Sequence, residues 1–227
     1  MGNLSENPSM ATASLARRAV IEGLGTAFLL ATIVGSGMMA QQLAGGNMAV
    51  MLLAGSLASG AILVVLITAF GSISGAYVNP VLTLVEAWNG AVRWGDVPAY
   101  IAAQFVGGFA GVALANLMFQ HPALMIAQNE HSGMAQLLGE FVATFGLITV
   151  ILGTQRHRPD RIPTVVGLYI LAASWFTSST SFANPAVTLA RIATDTLTGI
   201  RPADVPGFIA AQVLGGAAAL LLFGKRK

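Results

Sequence analysis

Ser74-Gly75-Ala76-Tyr77-Val78-Asn79-Pro80-Val81-Leu82-Thr83 has a loose echo in the second half of the chain, Thr180-Ser181-Phe182-Ala183-Asn184-Pro185-Ala186-Val187-Thr188. In both stretches an Asn-Pro pair sits among apolar residues. Asn is a favoured N-cap and Pro a favoured first helical residue, so each pair starts a helix. A helix that starts deep in hydrocarbon leaves free N–H groups. These are tolerable only where the backbone lines a wet cavity or is buried in protein. The two stretches together point to a pore.

The surrounding composition requires a membrane. Hydrophobic residues make up 55% of the chain, charged residues only 9%, and the mean hydropathy is +0.74, whereas a soluble domain carries about a quarter charged residues. With no cysteine, disulfide and thiol chemistry are absent. The three histidines, His121, His131 and His157, fall in expected loops rather than in a convergent cluster. No enzyme, metal site, cofactor or nucleic-acid partner is therefore expected. Residues 1–15 are polar and lack the pattern of a signal peptide, so they are read as a retained tail preceding a channel domain over 16–227.

A bilayer core needs about 20 apolar residues per helix. Six stretches qualify: roughly Ala19–Gln41, Met48–Phe70, Ala99–Phe119, Met134–Gly153, a short Ile162–Thr177, and Val205–Phe223. Placing Arg17 and Arg18 in the cytoplasm puts nine of the 11 basic residues there, leaving only Arg191 and Arg201 outside. That asymmetry fixes the expected orientation, with both termini cytoplasmic. The first Asn-Pro pair then enters from the cytoplasm and the second from outside. Each leads a helix of only about 15 Å, half a membrane, so the two should meet near the midplane.

Internal duplication supports this layout. Asp96-Val97-Pro98-Ala99-Tyr100-Ile101-Ala102-Ala103-Gln104-Phe105-Val106-Gly107-Gly108 parallels Asp204-Val205-Pro206-Gly207-Phe208-Ile209-Ala210-Ala211-Gln212-Val213-Leu214-Gly215-Gly216, and Glu22…Thr26 parallels Glu140…Thr144. Repeat one covers about 16–119 and repeat two about 134–224. Each repeat holds three spans, an odd number, so the second runs inverted relative to the first.

Paired Asn-Pro motifs, inverted three-span repeats and a Glu in the first span of each half resemble the aquaporin family (major intrinsic proteins). The resemblance implies an all-α membrane protein of six transmembrane helices plus two re-entrant half-helices, each protomer with its own pore, assembled as a homotetramer in the cell membrane, for a bacterium the inner membrane. It implies a central constriction at Asn79, Pro80, Val81, Asn184, Pro185 and Ala186, where the two Asn amides donate hydrogen bonds to a passing solute. It also implies that Glu22 and Glu140 orient the re-entrant loops by accepting their backbone N–H groups. Gln104 and Gln212 are expected to bond across helices.

The chain departs from the family where selectivity is set. Water-selective and glycerol-conducting members typically carry Arg after the second Asn-Pro-Ala, and here that position is Val187. Counting from each Asn as the family does gives Ser59 and Ser181 as further filter positions, with either Ala172 or Ser174 as the fifth-span member. All are small. Tyr77 replaces a common His and is a candidate gate. Arg191, four residues beyond Val187, either reaches back into the outer vestibule or pairs with Asp195, which lies four residues further on.

A wide, mildly polar filter suits passive diffusion of small neutral solutes. Bacterial relatives lacking the filter Arg are linked to arsenic resistance, so uncharged arsenite, As(OH)3, and methylated arsenicals join glycerol and water as expected solutes. An ordinary water-selective aquaporin is the alternative. A secondary transporter, which shares broken helices and inverted repeats, fits less well because no midplane carboxylate pair exists beyond Glu22 and Glu140.

Overall fold

The computed structural model describes residues 13–224, and every regular element among them is helical. Most of the expected tail, and Lys225, Arg226 and Lys227, lie outside the described residues. The elements are α1 (Leu15–Leu43), α2 (Met48–Ser74), α3 (Pro80–Trp88), α4 (Val97–Met118), α5 (Met134–His157), α6 (Ile162–Phe176), α7 (Pro185–Ala190) and α8 (Val205–Phe223). Single 3-10 turns at Pro159–Arg161, Arg191–Ala193 and Pro202–Asp204 join them.

All six expected spans are present; α1, α2 and α5 outrun the apolar stretches that announce them, α4 starts two residues earlier and stops one short, α6 stops one short, and α8 matches. Ser14 caps α1 by accepting from the Arg17 N–H, which carries the helix start back to Leu15. Asn47 caps α2 through Ala49 and Val50, and Gly75, at φ 97°, ends that helix in the left-handed conformation. Helices α1, α2, α4, α5 and α8 are long and apolar enough to cross a bilayer. The shorter α6, with 15 residues, spans about 22 Å at 1.5 Å per residue. Six crossings return the chain to the face from which it set out. On that face Arg18 pairs with Asp96 at the foot of α4, at 2.9 Å, and Arg156 of α5 donates to the Phe223 carbonyl at the end of α8.

Packing follows the duplication. The tightest pairs are α1 with α4 and α5 with α8, equivalent pairs in the two repeats. In hydrocarbon, close approach of helix backbones replaces the hydrophobic effect as the source of association, which favours small residues at crossings. A Cβ on Gly107 would lie 2.0 Å from the Gly23 carbonyl oxygen, and one on its counterpart Gly215 would lie 2.4 Å from the Phe141 oxygen. The adjacent glycines accommodate the short helices. Gly216 leaves room for the Val81 side chain of α3, and Gly108 for Ala190 of α7.

The connections into α3 and α7 carry backbone strain at matched positions. Ala76 (φ 49°) and Val78 (φ 45°) correspond to Ser181 (φ 57°) and Ala183 (φ 50°), with Thr180 (φ 59°) preceding the second pair. A non-glycine residue in this region costs roughly 1–2 kcal/mol. Such conformations persist only where their surroundings hold them.

Candidate functional site

Two carboxylates hold the strained loops. Glu22, fully buried in α1, accepts from the Tyr77 and Val78 N–H groups at 3.0 and 2.7 Å and from Ser74 Oγ at 2.7 Å. Glu140, fully buried in α5, accepts from the Phe182 and Ala183 N–H groups at 2.9 and 2.8 Å. Each carboxylate also takes a side-chain amide from the third span of its repeat, Gln104 Nε2 at 2.8 Å or Gln212 Nε2 at 2.6 Å. Those same amides donate to Thr83 and Thr188, whose hydroxyls donate to the Asn79 and Asn184 carbonyls. The two threonines are missing from the sequence-based site. The signal was available, because each follows its Asn by four residues.

At the centre, Asn79 caps α3 through the Val81 N–H, and Asn184 caps α7 through those of Ala186 and Val187. The amides then cross over. Asn79 Nδ2 donates to the Ala183 carbonyl at 2.8 Å, and Asn184 Nδ2 donates to the Val78 carbonyl at 2.7 Å. An amide nitrogen carries two hydrogens, so each keeps one after this exchange. The positive ends of both half-helices also lie here.

Both Asn residues line a cavity of about 540 Å³. Its wall holds Ser59, Ser174, Ser181, Val187 and Arg191 toward the face opposite the chain ends, and Tyr77, Glu86, Gln155 and Asp160 toward the face that carries them. Leu29, Leu63, Leu147 and Val166 supply apolar wall between. One-sided contact is thus offered to a solute: a polar seam of loop backbone and amides faces an aliphatic surface.

Several sequence-based placements change. Pro80, Val81, Pro185 and Ala186, expected in the constriction, are buried off the cavity wall. A half-helix needs a packing face as well as a lumen face; Val81 meets Gly216, and the Ala186 carbonyl lies over Gly108. Ser174 stands on the wall, whereas Ala172 is exposed on the outside of α6. Glu86, in the last turn of α3, is buried and accepts from Gln155 Nε2 at 2.8 Å. Arg191 does not pair with Asp195, because Asp195 Oδ1 accepts from the Gln128 N–H at 3.0 Å. Arg191 instead lies over the Phe182 ring, its Cζ 3.5 Å from the centroid, and its Nε donates to the Thr198 carbonyl. The role of Phe182 as that platform was not visible in the sequence, since it depends on how the strained loop turns.

Comparison with known proteins agrees with this architecture. A family profile described as "Major intrinsic protein" matches residues 9–179. The chain is 51% identical over 208 residues to "Aquaglyceroporin AqpS" of Rhizobium meliloti (strain 1021), covering 92% of this chain and 89% of that protein. It is 34% identical over 119 residues to the "Glycerol uptake facilitator protein" of Bacillus subtilis (strain 168), covering 46% of this chain and 43% of that protein. Its fold is shared with the crystal structure of the aquaglyceroporin from Plasmodium falciparum, at a TM-score of 0.75 and 20% identity over 93% of this chain and 96% of that one. The chain belongs to the major intrinsic protein family, multi-pass membrane channels rather than enzymes.

Proposed function

We propose that the chain is a passive channel for small uncharged solutes larger than water, and that glycerol and uncharged trihydroxides such as arsenite pass through it with water; methylated arsenicals belong to the same size class. The observation that carries this reading is Val187, at the position where other members carry Arg, sharing one cavity wall with Ser59, Ser174 and Ser181. Arg supplies fixed charge and several donors at that position; Val supplies neither. The name of the relative of highest identity above points the same way.

In this reading a solute slides past the Asn79 and Asn184 amides, whose remaining hydrogens replace part of its hydration. A water held by two donors presents its lone pairs to them and cannot relay a proton along the file. The half-helix ends add a positive field that disfavours cations. The termini face the cytoplasm, four protomers assemble in the cell membrane with one pore each, and Tyr77 narrows the cytoplasmic half.

The test is a flux panel in proteoliposomes for water, glycerol, arsenite and methylarsenate, wild type against Val187→Arg. Wild type should pass glycerol and arsenite. Val187→Arg should reduce both by about tenfold or more, the effect of about 1.4 kcal/mol on the barrier, while water flux falls far less. Water flux without glycerol or arsenite flux in the wild type would make it an ordinary water channel and overturn the reading.

A further inference from the structure

Arg191 raises a question that the wide filter leaves open. Cations lose an obstacle when residue 187 is Val, yet a cationic side chain remains on the same wall. Arg191 is only 8% exposed and lines the cavity with Val187 and Ser181. Its position is fixed from two sides, by the Phe182 ring beneath it and by the Thr198 carbonyl at Nε. Among the described residues it makes no ion pair, and its terminal nitrogens have no hydrogen-bond partner. The carboxylates nearby are otherwise engaged: Glu140 by the loop, Asp195 by Gln128, and Asp204 by Arg201 and the His131 N–H. Ser181 Oγ, on the same wall, is buried with no partner.

A guanidinium at this site is charged at neutral pH. It sits one turn beyond Val187, roughly 6 Å further out along the helix, so it does not occupy the narrow level itself. Its Cζ, 3.5 Å from the centroid of the Phe182 ring, is anchored to the wall by that aromatic face. We propose that Arg191 is the charge-selecting residue of this pore, a guanidinium laid against the outer rim that rejects inorganic cations and offers donors to solute oxygens while leaving the throat wide at Val187. Charge selection and size selection, which one side chain performs at position 187 elsewhere in the family, are thereby divided between two positions.

The proposal rests on the channel reading but is measured separately from it. Proteoliposomes containing wild type, Arg191→Lys, Arg191→Met or Arg191→Gln would be assayed for water permeability, for glycerol flux and for potassium leak with an imposed potential. Wild type and Arg191→Lys should leak no more than protein-free vesicles. The neutral variants should leak roughly tenfold more, and a melting temperature in detergent matching that of the wild type certifies that they are folded. Arg191→Gln can still donate to the Thr198 carbonyl, so it covers the case in which Arg191→Met misfolds. A neutral variant that conducts water and stays potassium-tight overturns the proposal and leaves the half-helix field as the whole barrier. A wild type that passes water but no glycerol would instead refute the solute assignment, with the leak comparison still readable.

Discussion

Glu140→Gln tests the energetic core of the site. The wild-type carboxylate accepts from two loop N–H groups, at 2.9 and 2.8 Å. Hydrogen bonds to a charged group contribute about 1.5–3 kcal/mol each, so the pair supplies roughly 3–6 kcal/mol. Against this stand three left-handed residues, Thr180, Ser181 and Ala183, at roughly 1–2 kcal/mol each. The two sums are comparable, which makes the loop conformation dependent on the carboxylate. Gln has almost the same shape but offers one acceptor oxygen, and its NH2 faces a donor. One backbone bond is lost, about 1.5–3 kcal/mol, a roughly ten- to hundredfold shift away from the native loop. Gln212 Nε2, at 2.6 Å, loses its charged acceptor as well. The assay is stopped-flow light scattering in proteoliposomes of matched protein content, for water and glycerol, alongside thermal melting in detergent. Both fluxes should fall about tenfold or more, with a lower melting temperature. Fluxes within about twofold of wild type and an unchanged melting curve would refute the idea that this carboxylate holds the loop.

Further outcomes follow from packing and charge. Gly107→Ala would place a Cβ 2.0 Å from a backbone oxygen that cannot swing aside, so α1 and α4 must part; a loss of about 1–3 kcal/mol should appear as a lowered melting temperature, while Gly55→Ala, with nothing within 4 Å, should not move it. Burial and the Arg191 charge hold His131 below its usual 6.5, against the pull of Asp204. The folded protein therefore keeps this imidazole neutral, and the unfolded chain takes up the proton first. The His131 contribution to stability is thus intact above pH 6.5 and declines as pH falls below it. Melting curves at pH 7.5 and about 5.5 should show that decline, and His131→Asn should flatten it; an unchanged slope in that variant would assign the acid sensitivity elsewhere.

Much of the architecture was readable because it is written in local chemistry. An Asn-Pro pair specifies a cap and a first turn wherever it lies, so α3 and α7 could be placed from residue types, while the grip of Glu22 and Glu140 on the loops was legible only through the family resemblance. What escaped depended on partners distant in sequence. Whether Ala172 or Ser174 faces the lumen turns on where α6 ends against α2, a contact made by Trp175 donating to Ser56 Oγ at 3.1 Å. Arg191 and Asp195 have ideal spacing for an ion pair on a continuous helix. The regular helix stops at Ala190 and one 3-10 turn follows, after which Asp195 faces another loop. Val81 follows the central Asn-Pro closely, but only the opposing Gly216 reveals which way it points.

The crossed amide exchange between the two loops has a consequence for how the channel is made. Asn79 completes its bonding on a carbonyl of the second repeat, and Asn184 on one of the first. A ribosome delivers the first repeat well before the second, so during synthesis the earlier loop has no counterpart to grip and its left-handed residues have lost one restraint. The lumen is closed off only when the last spans arrive, and a half-length product would be an unfinished wall instead of a narrower channel. The two halves are similar in outline, yet each leaves a bond of its central loop for the other to complete.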